Sequence, residues 1–147
     1  MSKAKLFLDS SALFAGIASP SGAARVLLLL GETGQVTLIV SEQVITETER
    51  AVARKIPGIL PELRQAILKS GLVILSDPPA GAVQARLDWI SHTVDVPILV
   101  SAVQAEADYL VTLNRKHFLD DPQVAIRSGL RIGAPGDALA WVRSWLA

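Results

Sequence analysis

The 147-residue chain contains no cysteine, which excludes disulfides, thiolate nucleophiles and cysteine-zinc sites and fits a reducing compartment. Any metal must then be held by oxygen or imidazole. It has no net charge either: 14 Lys+Arg against 14 Asp+Glu give +0. No global field draws it to nucleic acid or to an anionic membrane, so a phosphate-binding surface has to be local. Although the composition is 50% hydrophobic, no apolar run approaches the roughly 20 residues of a membrane helix. The amino-terminal "MSKAKLFLDSSALF" is interrupted by Asp9 and two serines, unlike the unbroken apolar stretch of a secretory signal. These absences predict a soluble cytoplasmic protein without membrane attachment. The length suits one domain over residues 1–147, since a chain of about 150 residues buries roughly 70% of its unfolded surface.

What is present is an alternation. "KLFLD" (5–9) and "VTLIV" (36–40) are short apolar, strand-like runs, and "SGAARVLLLLGETG" between them has the content of a helix closed by glycines. "SEQVITETERAVARKI" opens on a serine cap with early glutamates and ends before Pro57-Gly58, which predicts a helix. "LPELRQAILKSG" continues as helix, "LVIL" as strand, "DPPAG" as loop and "AVQARLDWISH" as helix. "VPILVSAVQAEA" is a helix with Pro97 in its first turn, followed by the strands "DYLVT" and "LRIG". "PGDALAWVRSWLA" closes the chain as an amphipathic helix with Trp141 and Trp145 on one face. This order predicts a three-layer α/β/α sandwich around a mostly parallel sheet of about five strands. Ligand sites in such folds lie beyond the carboxyl ends of the strands.

The polar residues at those ends are therefore the candidates. Asp9 ends the first strand, Glu42, Glu47 and Glu49 sit on the helix after the second, Thr112 and Asn114 follow the fourth, and Asp95 precedes the helix leading to it. Carboxylates without cysteine or paired histidines suit Mg²⁺ or Mn²⁺ better than zinc. Such ions activate water for in-line attack on a phosphodiester.

At these residues the chain resembles the PIN-domain ribonucleases, many of them toxins of toxin–antitoxin pairs. The resemblance rests on "KLFLDSSALF", "SEQVITETERAVARK" and "DVPILVSAVQAEADYLVTLNRKHF", with the terminal "GLRIGAPGDALAWV", and so covers nearly the whole chain. It implies that Asp9, Glu47 and Asp95 are the catalytic, metal-binding acids and that position 114 is a fourth ligand. The commonest family pattern has aspartate there; this chain has Asn114, similar to a "VT-x-N" branch. An amide offers a carbonyl oxygen but no charge. The resemblance further implies that Thr112 helps hold a metal, its water or a substrate phosphate, with Arg115 and Lys116 beside the path of the nucleic acid. From the residues themselves, Ser10 and Ser11 read as helix caps or hydrogen-bonding supports of Asp9, and Arg50 with Arg54 as a pair placed to meet phosphates near the site. The resemblance also implies an Mg²⁺- or Mn²⁺-dependent endoribonuclease, RNA as substrate and a small antitoxin protein as partner.

Each residue also has a plainer reading. Asp9 and Asp95 both stand where a helix cap is expected. A helical wheel leaves Glu47 and Glu49 undivided, so only the family pattern selects Glu47, and Glu47, Arg50 and Arg54 share a stripe where a surface ion pair would suffice. Asp120 and Asp121 read as turn-capping acids before Pro122. His92 and His117 have no partner at metal-ligand spacing and read as surface or packing residues. The last helix docks on the core through its tryptophans, with a homodimer face as the secondary reading. Among rivals, nucleotide-binding modules lack their "GxxxxGK[ST]" or "GxGxxG" here, and a phosphatase lacks its second aspartate. The rival that survives is a PIN-like module that binds RNA or protein without hydrolysis, and Asn114 keeps it open.

Overall fold

In the computed structural model, which describes residues 2–147, five parallel strands form one sheet in the order β3-β2-β1-β4-β5. β1 (Ala4–Leu8) lies at the centre, with Leu6 opposite Leu38 of β2 (Val36–Ser41) on one side and Leu8 opposite Val111 of β4 (Tyr109–Val111) on the other. β3 (Val73–Leu75) and β5 (Ile132–Gly133) are short edges. The three inner strands are almost wholly buried, which is why they read as continuous apolar runs rather than as alternating ones.

The chain runs outward from β1 through β2 to β3, then returns to the opposite side of β1 for β4 and β5. The order therefore reverses between β1 and β4, and a crevice opens there at the strands' carboxyl ends. Asp9 and Thr112 are the first residues beyond these two strands.

Helices cover both faces. Where a single helix was expected between the first two strands, the chain forms two, α1 (Ser10–Ala18) and α2 (Ala23–Glu32), divided at Ser19-Pro20. Proline restrains the residue before it to extended backbone, and Ser19 sits at φ −106°, ψ 117°. α3 (Glu42–Lys55) and α4 (Leu60–Lys69) follow β2. α5 (Ala80–Gln84) is shorter than the "AVQARLDWISH" helix expected, the chain passing into turns after Gln84. α6 (Val96–Gln104) is preceded by a single 3-10 turn, Thr93–Asp95. After β4 comes a π turn, Arg115–Leu119, and then α7 (Pro122–Ser128), which the sequence reading treats as turn. α8 (Pro135–Leu146) ends the chain.

α1 packs on α2 and α3, and α2 on α8, while α6 packs between α5 and α7. Gly31 allows α2 to sit tightly on the sheet, because a β-carbon there would come within 2.5 Å of the Leu38 side chain. Trp141 packs 5.5 Å from Tyr109 and 5.2 Å from Trp145, which docks α8 beside β4. Among the described residues, no single helix is long and apolar enough to cross a membrane.

Candidate metal centre

Asp9 leaves β1 in extended conformation and caps α1, its Oδ1 accepting the Ala12 N–H at 2.9 Å. The Ser11 hydroxyl donates to the same oxygen at 2.7 Å, and the Thr112 hydroxyl donates to Oδ2. The backbone just beyond β4 closes around these groups. Leu113 N–H donates to Ser11 Oγ at 2.9 Å and Asn114 N–H to Thr112 Oγ1 at 3.0 Å. Asp9 is 4% exposed and Thr112 fully buried, so this carboxyl is fixed by neighbours at the reversal point of the sheet. The capping role and the site position are one geometry. It is Ser11 that holds Asp9; Ser10, expected to support it, is half-buried and its hydroxyl does not enter the network.

Burial pushes the Asp9 carboxyl above its ordinary range, against the hydrogen bonds from Thr112, Ser11 and Ala12 that pull it down, and nearby Asp95 adds to the rise. Asp9 and Asp95 are thus two buried carboxyls near enough for the charge of one to act on the other.

Asp95 is 8% exposed at the start of α6, yet its side chain caps no helix amide. Its Oδ2 instead lies 2.8 Å from His92 Nδ1 and 3.0 Å from His117 Nδ1. The two imidazoles stack, centroids 4.0 Å apart and planes 17° from parallel. The sequence offers neither histidine a partner at metal-ligand spacing; the fold supplies one by bringing both beside Asp95. His92 is three positions before Asp95, and the π turn after β4 brings His117 back beside them. A weak signal was available, H-x-x-D ahead of the Pro97 helix start and N-x-x-H after the strand.

Asn114 links the two halves. Its Oδ1 caps the π turn by accepting His117 N–H at 3.1 Å, while its Nδ2 lies 3.0 Å from His117 Nδ1. A chain of contacts therefore runs from Asp9 through Thr112, Asn114 and His117 to Asp95 and His92.

Glu47 sits half-buried on α3, whereas Glu49 is exposed, a division the helical wheel did not provide. Gln43 Nε2 donates to Glu47 Oε2 at 3.2 Å and to the Val94 carbonyl at 2.9 Å, tying Glu47 to the segment that carries Asp95. A depression of about 420 Å³ lined by Glu47, Arg50, Val94 and Pro97 opens on this side. Arg50 forms no ion pair among the described residues, so the surface pair with Glu47 is not made. Of the basic cluster after β4, Arg115 pairs with Asp120 at 3.7 Å, and Lys116 shares a second depression with Ser91, His92, His117 and Asp121. Asp121 caps α7 through Gln123 N–H at 3.0 Å.

Among the described residues the ligand atoms of His92, Asp95 and His117 lie within 4.8 Å of one another, while Asp9 and Glu47 fall outside that cluster; the residue types present suit a divalent cation. Asp9 Oδ2 keeps a lone pair beyond its bond to Thr112, and a positive centre would relieve the repulsion between the buried carboxyls.

A parallel sheet reversing at a carboxylate-lined crevice defines the chain as an α/β protein with a candidate acidic metal centre at its topological switch point. The PIN domain matches residues 5–116, and the chain belongs to the PIN-domain family. No curated protein matches it. Among solved structures, it is similar to PAE2754 from Pyrobaculum aerophilum at 17% identity and TM-score 0.67, covering 96% of each chain. It is similar to VapBC2 from Rickettsia felis, bound to a DNA fragment from their promoter, at 20% identity and TM-score 0.62, over 88% of this chain and 98% of that one. It is also similar to VapC20 of Mycobacterium tuberculosis, a sarcin-ricin loop cleaving toxin, at 14% identity and TM-score 0.54, over 76% of this chain and 91% of that one. These likenesses are of fold.

Proposed function

We propose that the chain, acting as one domain, is an endoribonuclease that hydrolyses RNA phosphodiester bonds with Mg²⁺ or Mn²⁺ held by Asp9, Glu47, Asp95 and the amide oxygen of Asn114. The observation that carries this reading is a pair of buried carboxyls, Asp9 at the reversal point of the sheet and Asp95, joined by a continuous run of contacts through Thr112, Asn114 and His117. When bound, the ion polarises the phosphodiester and activates a water for in-line attack. Thr112 and Ser11 aim the Asp9 carboxyl and oppose the rise that burial imposes on it, and Glu47 or Asp95 takes the proton of the attacking water. Arg50 and Lys116, unpaired among the described residues, hold the flanking phosphates from two sides. Arg115 reaches phosphate by exchanging its exposed partner Asp120, a weak competitor at the surface.

The similar VapBC2 structure supports a toxin role with a small antitoxin as partner, and the sarcin-ricin loop cleavage by VapC20 supports RNA as substrate. On this reading the protein acts in the cytoplasm, where its RNA substrate is found. Self-association through α8 is secondary.

The test is cleavage of a mixed set of labelled RNAs by the purified protein in Mn²⁺, Mg²⁺ or EDTA. Metal-dependent cleavage that disappears in Asp9→Asn is expected, and equal turnover in EDTA or in the variant would sink the reading. A second reading, binding of RNA or protein without hydrolysis, is favoured by one observation. The Asn114 carbonyl already accepts the His117 N–H, so it brings one remaining lone pair and no charge to an ion. RNA retention without cleavage in every metal would select it.

A further inference from the structure

The stacked histidine pair is not accounted for by a site made of oxygen ligands alone. We propose that His92, Asp95 and His117 form an imidazole–carboxylate site for a borderline divalent transition ion, of the Co²⁺, Ni²⁺ or Zn²⁺ class, which Mg²⁺ does not fill. The inference rests on the nuclease reading only in that Asp95 is shared by the two sites.

The geometry is that of ligands around one centre. Donors bound at about 2.1 Å and at right angles to one another stand about 3.0 Å apart, and Asp95 Oδ2 lies 2.8 Å and 3.0 Å from the two Nδ1 atoms. The three ligand atoms all fall within 4.8 Å of one another. The stacked rings must turn about their Cβ–Cγ bonds for both in-plane Nδ1 lone pairs to meet one ion. His92 is free to make that turn, its side chain being 46% exposed.

Hydrogen bonding alone leaves a conflict at His117. The orientation of the Asn114 amide is fixed because its Oδ1 accepts the His117 backbone N–H. Its Nδ2 donor therefore faces His117 Nδ1 at 3.0 Å, while the acceptor Asp95 Oδ2 faces the same atom at 3.0 Å. One ring nitrogen carries either a hydrogen or a lone pair. A hydrogen meets the amide donor head-on, and a lone pair meets the carboxylate oxygen. A cation between Nδ1 and Oδ2 turns the second arrangement from repulsion into ligation.

The π turn that delivers His117 has the local irregularity often found where a side chain is positioned for binding. Imidazole selects Zn²⁺, Ni²⁺ and Co²⁺, whereas Mg²⁺ prefers oxygen and keeps its waters. The depression formed by Ser91, His92, Lys116, His117 and Asp121 gives the ion an approach from solvent.

The test uses the full chain and needs no RNA. Co²⁺ is titrated into metal-free protein and followed by visible absorption, with a large excess of Mg²⁺ as competitor. His92→Gln, His117→Gln and Asp9→Asn are compared under the same conditions, with thermal melts to establish folding. The expected result is one Co²⁺ bound in the presence of Mg²⁺, at least tenfold weaker binding in each histidine variant, and binding retained in Asp9→Asn. Absence of Co²⁺ binding by the wild type, displacement by Mg²⁺, or binding unchanged by the histidine substitutions overturns the proposal. Should His117→Gln melt early, the surface variant His92→Gln decides. RNA cleavage in the same preparations separates the two readings, since loss of one leaves the other measurable.

Discussion

The two carboxyls of the crevice differ in how they are held. Asp9 is surrounded by three donors, two from its own helix and one from the residue that follows β4, and two of the three are hydroxyls that carry no charge. Asp95 is held only by imidazoles, one from the adjoining turn and one from a π turn 22 residues further on. The first arrangement is a rigid fixture of the sheet, because its donors belong to the strands and helix that the core locks in place. The second is a soft arrangement of side chains from connecting segments, one of them nearly half exposed. The comparison teaches that a single crevice can hold one acid preorganised and leave the other adjustable. Preorganisation favours catalysis, where a ligand displaced by about 1 Å can cost on the order of 10²-fold, whereas adjustability favours exchange among ions.

The sharpest way to break the comparison is to neutralise each acid in turn. Asp9→Asn and Asp95→Asn are each expected to lower RNA cleavage by roughly 10²–10⁴-fold, measured as initial rates in saturating Mn²⁺. Only Asp95→Asn is expected also to weaken Co²⁺ binding. Equal effects of both variants on both readouts would mean that the crevice is one undivided site.

Next in size is the hydroxyl that separates the two environments. Thr112→Val keeps the shape of the side chain but leaves the Asp9 carboxyl without one buried donor, a loss of about 1–3 kcal/mol. For a chain of this size that lowers Tm by about 2–4 °C per kcal/mol. The Thr112 bond holds the Asp9 carboxyl down against burial, so its removal raises that carboxyl further and the acid limb of the cleavage profile moves to higher pH. A profile that stays in place would show that Asp9 is not the group titrating there.

The fold was readable wherever the pattern was long and buried. β1, β2 and β4 stood out as apolar runs because parallel strands are covered on both faces, and Asp9, Thr112 and Asp95 were found simply as the polar residues at element ends. The split of α1 from α2 was hidden, since Ser19-Pro20 interrupts two stretches of equally helical composition. α7 was hidden by its seven-residue length, too short to establish a period. The histidine pair was illegible for another reason. The contact between His117 and Asp95 is set by where a π turn places one ring, and neither propensity nor periodicity encodes that.

A smaller effect is expected from metal-free Asp9. Its carboxyl is raised in the folded protein above the ordinary aspartate range, so its contribution to stability is present below the unfolded pKa and is lost as pH rises through the folded pKa. At neutral pH the fold therefore carries a penalty for the ionised, buried group. In EDTA, Asp9→Asn is expected to melt higher than the wild type near neutrality, and the gap is expected to close as pH falls towards the unfolded value. A gap that widens with acid would mean that the hydrogen bonds outweigh desolvation.

The smallest expected effect lies at the rim. Arg50 is exposed beside Glu47 and pairs with no carboxylate among the described residues, so Arg50→Ala costs the fold little, within about 0.5 kcal/mol. If it meets a phosphate, the variant binds RNA more weakly whatever the sequence, and the number of counterions released falls by about one. The measurement is RNA affinity at several salt concentrations, using Asp9→Asn so that binding is separated from cleavage. An unchanged slope would remove Arg50 from the RNA path and leave Lys116, on the histidine side of the crevice, as the cation that guides the strand. The adjustable acid, rather than the rigid one, would then lie nearer the RNA.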